Sequence, residues 1–119
     1  MPSARNKVIA GDYKNRYVTY SGFTGAFISG PGLVSKTIDL NKTNVESYEL
    51  ITEDKMKSGT SAILRGALGA AILGPVGILA GLTAKNKGIY CVAIQFKDGK
   101  KSLLEVDDEI YKGLIKSLF

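Results

Sequence analysis

Short apolar stretches alternate with polar turn residues along the first half of the chain, with the two-residue period of β-strands. Five strands are predicted there: Lys7–Ala10 (KVIA), Tyr17–Tyr20 (YVTY), Ala26–Ser29 (AFIS), Ser35–Leu40 (SKTIDL) and Val45–Thr52 (VESYELIT). Turn residues separate them, among them GDYKN, Gly30-Pro31-Gly32 and Asn41-Lys42, at the spacing of an antiparallel meander. Gly88–Lys97 is the strongest strand. Tyr90, Val92, Ile94 and Phe96 fall on one face, with Cys91, Ala93, Gln95 and Lys97 on the other. Asp98-Gly99 predicts a two-residue hairpin turn, and Lys101–Glu105 pairs back as a seventh strand. Asp107 suits a helix N-cap, with Asp108 and Glu109 favourable in the first turn. Beyond it, Ile110, Tyr111, Leu114, Ile115 and Leu118 make one apolar stripe opposite Lys112 and Lys116, the pattern of an amphipathic helix.

Residues 55–87 break this regime. Ala62–Leu82 is 21 residues long, with five glycines, one charge (Arg65) and a central Gly74-Pro75. Gly66 and Ala70 are four apart, as are Gly77 and Gly81, so a helix there has faces without side chains that another helix can approach closely. Gly69 and Gly74 add to these small positions, and Leu68, Ile72 and Leu79 fill the remaining surface. Pro75 removes a backbone donor and disfavours helix at Gly74, which predicts two short helices, about Gly59–Leu73 and Val76–Ala84. The length suits one membrane span of roughly 20 residues. If the flanking strands share one domain, however, both ends lie on one side, and two crossings need about twice this length. Lys55 and Lys57 before the segment and Lys85 and Lys87 after it suit the same anionic face. A helical hairpin results. Its cover is left open between its own sheet, a second copy, a partner protein and the inner membrane leaflet.

Seven strands and a C-terminal helix describe one mainly β (α+β) domain spanning 1–119, a seven-stranded roll or barrel with the apolar hairpin inserted. This order, over Lys7–Thr52 and Gly88–Phe119, resembles the bacterial pleckstrin-homology-like fold. VIAGDYKN (Val8–Asn15) and QFKDGKKSLLEVDDEIYKGL (Gln95–Leu114), with a glycine-rich middle between them, are similar to small proteins of Gram-positive bacteria and their phages that carry a glycine-zipper insert. The resemblance implies a binding module and brings no activity that can be placed residue by residue. It permits an alternative, a phage- or mobile-element-encoded effector that binds and inhibits a host protein.

Composition narrows the chemistry. The chain has no histidine, which removes the commonest general base and metal ligand. A single cysteine, Cys91, allows no internal disulfide, suits a reducing compartment and reads as strand core. No apolar leader follows Met1, so a cytoplasmic protein is expected, with peripheral contact at the inner membrane face left open. The net charge of +5 favours an anionic partner, yet Lys14, Arg16, Lys36, Lys42, Lys97, Lys100 and Lys101 are scattered and read as solvated. No nucleic-acid motif stands out. Glu105, Asp107, Asp108 and Glu109 read as the acidic opening of the helix rather than a cation site. The glycines of the insert lack the Lys-Ser/Thr of a phosphate loop. Tyr13, Tyr17, Tyr20 and Phe23 read as barrel-closing rings. No acid, base and nucleophile come together, so a non-enzymatic module without metal or cofactor is expected, acting as a homo-oligomer or on a protein partner.

Overall fold

The computed structural model describes residues 6–23, 25–30, 37–51, 63 and 88–118. Seven strands form: β1 (Lys7–Gly11), β2 (Val18–Ser21), β3 (Gly25–Ile28), β4 (Ile38–Asp39), β5 (Val45–Leu50), β6 (Ile89–Phe96) and β7 (Lys101–Asp107). One helix follows, α1 (Asp108–Leu118). The protein is thus mainly β, with every strand and the helix near the place that the alternation predicts. The expected helical hairpin falls within 55–87, outside the described residues except for Ile63.

The strands make two antiparallel sheets, one ordered β1-β7-β6-β5 and the other β2-β3-β4. A closed barrel is not formed. β4 and β5 lie in different sheets, and β1 meets the start of β2 through one isolated bridge, Lys7 to Tyr17. The Val8 N–H donates to the Arg16 carbonyl (2.8 Å) beside that bridge. Sequence periodicity fixes which side chains share a face, but closure depends on long-range pairing that no local pattern carries.

Val8, Ile28, Ile94, Leu104 and Leu114 are fully buried between the sheets and α1. The face that Val92, Ile94 and Phe96 share is therefore the inner one, as their alternation predicts. Two β-bulges adjust this pattern. In β1, Val8 pairs with Leu104 and Ala10 with Leu103, so Ile9 is an extra residue. In β5 the register shifts between Val45 and Ser47, which sends Glu46 and Ser47 outward and returns Tyr48 and Leu50 to the core.

The β6–β7 hairpin has a larger loop than expected. The Phe96 N–H donates to Lys100 O (2.8 Å) and the Gly99 N–H to Phe96 O (3.0 Å), enclosing Lys97, Asp98 and Gly99. Gly99 takes the left-handed conformation (φ 93°), so the loop is a turn closed by one left-handed residue. A two-residue turn would have needed positive φ at Asp98 too; here Gly99 takes it and Asp98 does not.

Asp107 caps α1: its Oδ1 accepts the Ile110 N–H at 2.8 Å. Asn6 holds the cap in place, its Oδ1 accepting the Asp107 N–H (2.8 Å) and its Nδ2 donating to Asp107 Oδ2 (3.1 Å). Asp107→Ala is expected to lower the unfolding free energy by about 1–2 kcal/mol in urea titration, with Asp107→Asn or Ser recovering part of the loss. On the buried side of the helix, Gly113 lies against Tyr20 of β2, and a Cβ added there would overlap the ring.

Candidate functional site

The outer face of the four-stranded sheet is the unusual surface of this molecule. An antiparallel sheet with one solvated face normally carries polar side chains there. Here the face gathers Ile9, Ala10, Ile51, Cys91, Ala93 and Leu103 into a second apolar cluster, each at most 6 % exposed. Three local features build it. The β1 bulge places both Ile9 and Ala10 in this cluster, while Val8 goes to the inner core. The alternation of β6 supplies Cys91 and Ala93. In β7, Leu103 and Leu104 are both fully buried, one on each face, so that strand is apolar on both sides.

Ile63 completes the cluster at 4 % exposure. It is the second residue of the apolar segment Ala62–Leu82 and the one that the structure describes. The other interaction residues expected there, Gly66, Leu68, Gly69, Ala70, Ile72, Gly74, Gly77, Leu79 and Gly81, lie outside the described residues, as do Lys55, Lys57, Lys85 and Lys87.

Glu105 corrects one reading from the sequence. It does not open the helix; it lies within β7, paired with Cys91 and Lys7, and is 2 % exposed. The strand runs on to Asp107, so the helix begins later than a terminus at Glu105 would allow, and only Asp107, Asp108 and Glu109 belong to its start.

At the other end of the roll, the β1–β2, β4–β5 and β6–β7 connections border a cleft of about 390 Å³. Tyr13, Ile38, Asp39, Asn44, Phe96 and Lys97 are among its lining residues. Tyr13 adopts positive φ (65°), rare for a bulky residue. Its conformation is over-determined by neighbours. Asp12 donates its N–H to Lys101 O (2.8 Å) and accepts the Lys101 N–H at Oδ2 (2.9 Å), and the Ser102 hydroxyl donates to Asp12 O (2.6 Å). The Tyr13 ring meets Phe96 edge-on at 5.5 Å, with the Arg16 guanidinium 5.0 Å and the Lys100 ammonium 5.4 Å from its centroid. The Tyr13 hydroxyl, then Asp98, hold the Lys100 ammonium above the usual lysine range. The fold therefore gathers cations that sequence spacing leaves scattered. Asp39 and Asp98 alternate with them, so the cleft has no single-signed field.

A polar cluster ties β6 to α1. The Tyr90 hydroxyl donates to Asp108 Oδ1 (3.0 Å), Lys112 pairs with Asp108 Oδ2 (3.0 Å), and the Tyr90 and Tyr111 rings stack at 4.3 Å. Lys112 first, then Tyr90, hold the Asp108 carboxyl below the ordinary aspartate range. Asp108 in turn pushes the Tyr90 hydroxyl up. Because the folded Asp108 value is depressed, its contribution to stability is present above the ordinary aspartate range and is lost as pH falls through the lowered value. The Tyr90 value is raised, so that contribution is lost as pH rises through it. In carboxyl-detected NMR titration, Lys112→Met is expected to move the Asp108 midpoint up toward an ordinary aspartate; an unmoved midpoint would remove Lys112 as the cause.

Of the four aromatic residues expected to close a barrel, Tyr13 and Tyr20 pack on the core. Tyr17 is 59 % exposed and Phe23, at the β2–β3 turn, fully so, and neither closes a barrel. Among the described residues, no three or more acidic or cysteine side chains gather as a metal site, and no helix is long and apolar enough to cross a membrane. Compared with family models, with curated proteins and with solved structures, the chain matches none of them.

Proposed function

We propose that this chain is a non-enzymatic association module, a pleckstrin-homology-like roll that carries the glycine-rich apolar segment 62–82 as its interaction element. The second apolar face, with Ile63 in it, carries the reading. A roll of this size needs one core between its sheets. A second buried apolar layer on the outer side of the sheet, in a chain that also carries an apolar segment with glycines four apart, supports an element given over to association. Self-association through the Gly66/Ala70 and Gly77/Gly81 faces is the favoured mode. The mixed charge of the loop-end cleft favours neither a nucleic acid nor a phosphate-rich ligand there. In the cell the module works in the cytoplasm, on its own copies or at the inner membrane face, and needs no cofactor.

Light scattering on the purified protein tests this. An oligomer is expected that Gly66→Leu or Gly81→Leu dissociates, since a large side chain fills the groove through which helices approach. Sedimentation with anionic vesicles in parallel, using Gly77→Asp as the control, separates protein from lipid contact. A strict monomer that ignores vesicles would overturn the proposal.

A further inference from the structure

We propose that the outer face of the three-stranded sheet β2-β3-β4 is a contact surface for anionic lipid, with Phe23 at the β2–β3 turn as its inserting side chain. Strand register sets the face. Val18 and Ile28 are cross-strand partners and both lie in the inner core, so Thr19 and Phe27, the next pair, point outward. Phe27 is half-buried and belongs to neither apolar cluster. Tyr17, one position before Val18, falls on the same outer side. Tyr17 and Phe23 are the exposed large apolar side chains among the described residues, and both border β2. One such residue would be ordinary. Three aromatic rings along one hairpin make a stripe.

Charge indicates what covers it. From Tyr13 to Ile38 the sequence has Lys14, Arg16 and Lys36 but no acidic residue. The Lys7 ammonium lies 5.4 Å from the Tyr17 ring centroid. At the other end of the hairpin, the Ala26 N–H donates to Ser117 Oγ (3.0 Å), which brings the last turn of α1 alongside, and Lys116 is exposed there. Asp39, opposite Phe27, is the one acid of the three strands. Rings framed by lysines suit a lipid headgroup region, where aromatic side chains enter the apolar boundary and ammonium groups meet anionic headgroups. A second copy is a poor occupant, because a two-fold contact would set these cations against themselves. Tyr17 and Phe23 are six positions apart in sequence, at most roughly 20 Å along a strand, and a fluid surface takes rings so separated without matched pockets. The surface includes no residue of 55–87, so it goes beyond the interaction element proposed above.

The chain has no tryptophan, so Phe23→Trp supplies a single indole fluorophore. Its emission is expected to shift to the blue on vesicles containing about one-third phosphatidylglycerol and to be quenched by brominated lipid, whereas pure phosphatidylcholine vesicles should do neither. In sedimentation with the same anionic vesicles, Phe23→Ser should lower the partition coefficient about tenfold, the worth of burying one phenyl ring. Lys116→Gln should lower it about fivefold. Both variants should keep the wild-type thermal midpoint, since both side chains are exposed. An indole emission unmoved by vesicles that do sediment the protein would overturn the surface. So would Phe23→Ser binding as well as the wild type while Gly77→Asp fails to bind, a result that assigns the lipid to segment 62–82 and leaves the association reading standing. A wild type that ignores vesicles yet scatters as an oligomer defeats this inference alone. A larger shift with polyglutamate than with vesicles would also defeat it, in favour of an acidic protein.

Discussion

Leu114→Ala is expected to lower the unfolding free energy by about 3 kcal/mol, within the 2–5 kcal/mol seen for large-to-small changes at fully buried sites. Leu114 is fully buried in the core between the sheets, and its helix packs on strands of both, β2 and β3 of one and β6 and β7 of the other. Two sheets and a helix converging on one point cannot all relax into the space, which puts the cost above the transfer term alone. Against a total of about 5–15 kcal/mol for a domain, such a loss is large. A midpoint drop of roughly 10 °C in thermal unfolding should accompany it. Leu118→Ala, at 9 % exposure on the rim of the same core, should cost less. A Leu114→Ala loss below about 1 kcal/mol would mean that the helix is an appendage rather than part of the core.

The neighbouring residue carries the second prediction, of opposite construction. At an exposed helical site, glycine to alanine stabilises by about 0.5–1 kcal/mol through lower backbone entropy in the unfolded chain. At Gly113 the sign is expected to reverse. The Tyr20 ring occupies the space a Cβ would take, and overpacking of this kind costs about 1–3 kcal/mol. Gly113→Ala should therefore destabilise, and Gly113→Val more so. The cause is separable by a cycle: combined with Tyr20→Leu, which withdraws the ring, Gly113→Ala should cost less than it does alone. A Gly113→Ala variant at least as stable as the wild type would show that the ring yields freely.

Much of this fold is legible in the sequence because its signals are local. The alternation across Tyr90–Phe96 and the cap at Asp107 each depend on a few neighbouring residues, and both appear where the pattern puts them. What the sequence hides depends on partners far along the chain. The β1 bulge at Ile9, which gives the outer face two consecutive side chains, exists only in register with Leu103. The run Ser102–Val106 reads as one more strand, and its burial on both faces, Glu105 included, reflects what lies above and below it. Closure of a barrel by Tyr17 and Phe23 fails for a similar reason: an aromatic run signals area to bury, not the sheet that will bury it. Of the candidate site, the sequence shows the segment that needs cover. The second apolar face follows from strand order and from the β1 bulge.

The pairing of β1 with β7 has a kinetic consequence. The hydrogen bond from Asn6 to Asp107 spans 101 positions of sequence, and β1 has β7 as its sheet neighbour among the described residues. Closing so long a loop costs entropy before any contact rewards it, so high contact order makes folding slow. During synthesis at about 5–20 residues per second, Lys7–Gly11 waits several seconds for its partner strand to be made. For that interval Ile9 and Ala10 have no sheet to join, and an edge-seeking apolar strand is a point of misassembly on a crowded ribosome.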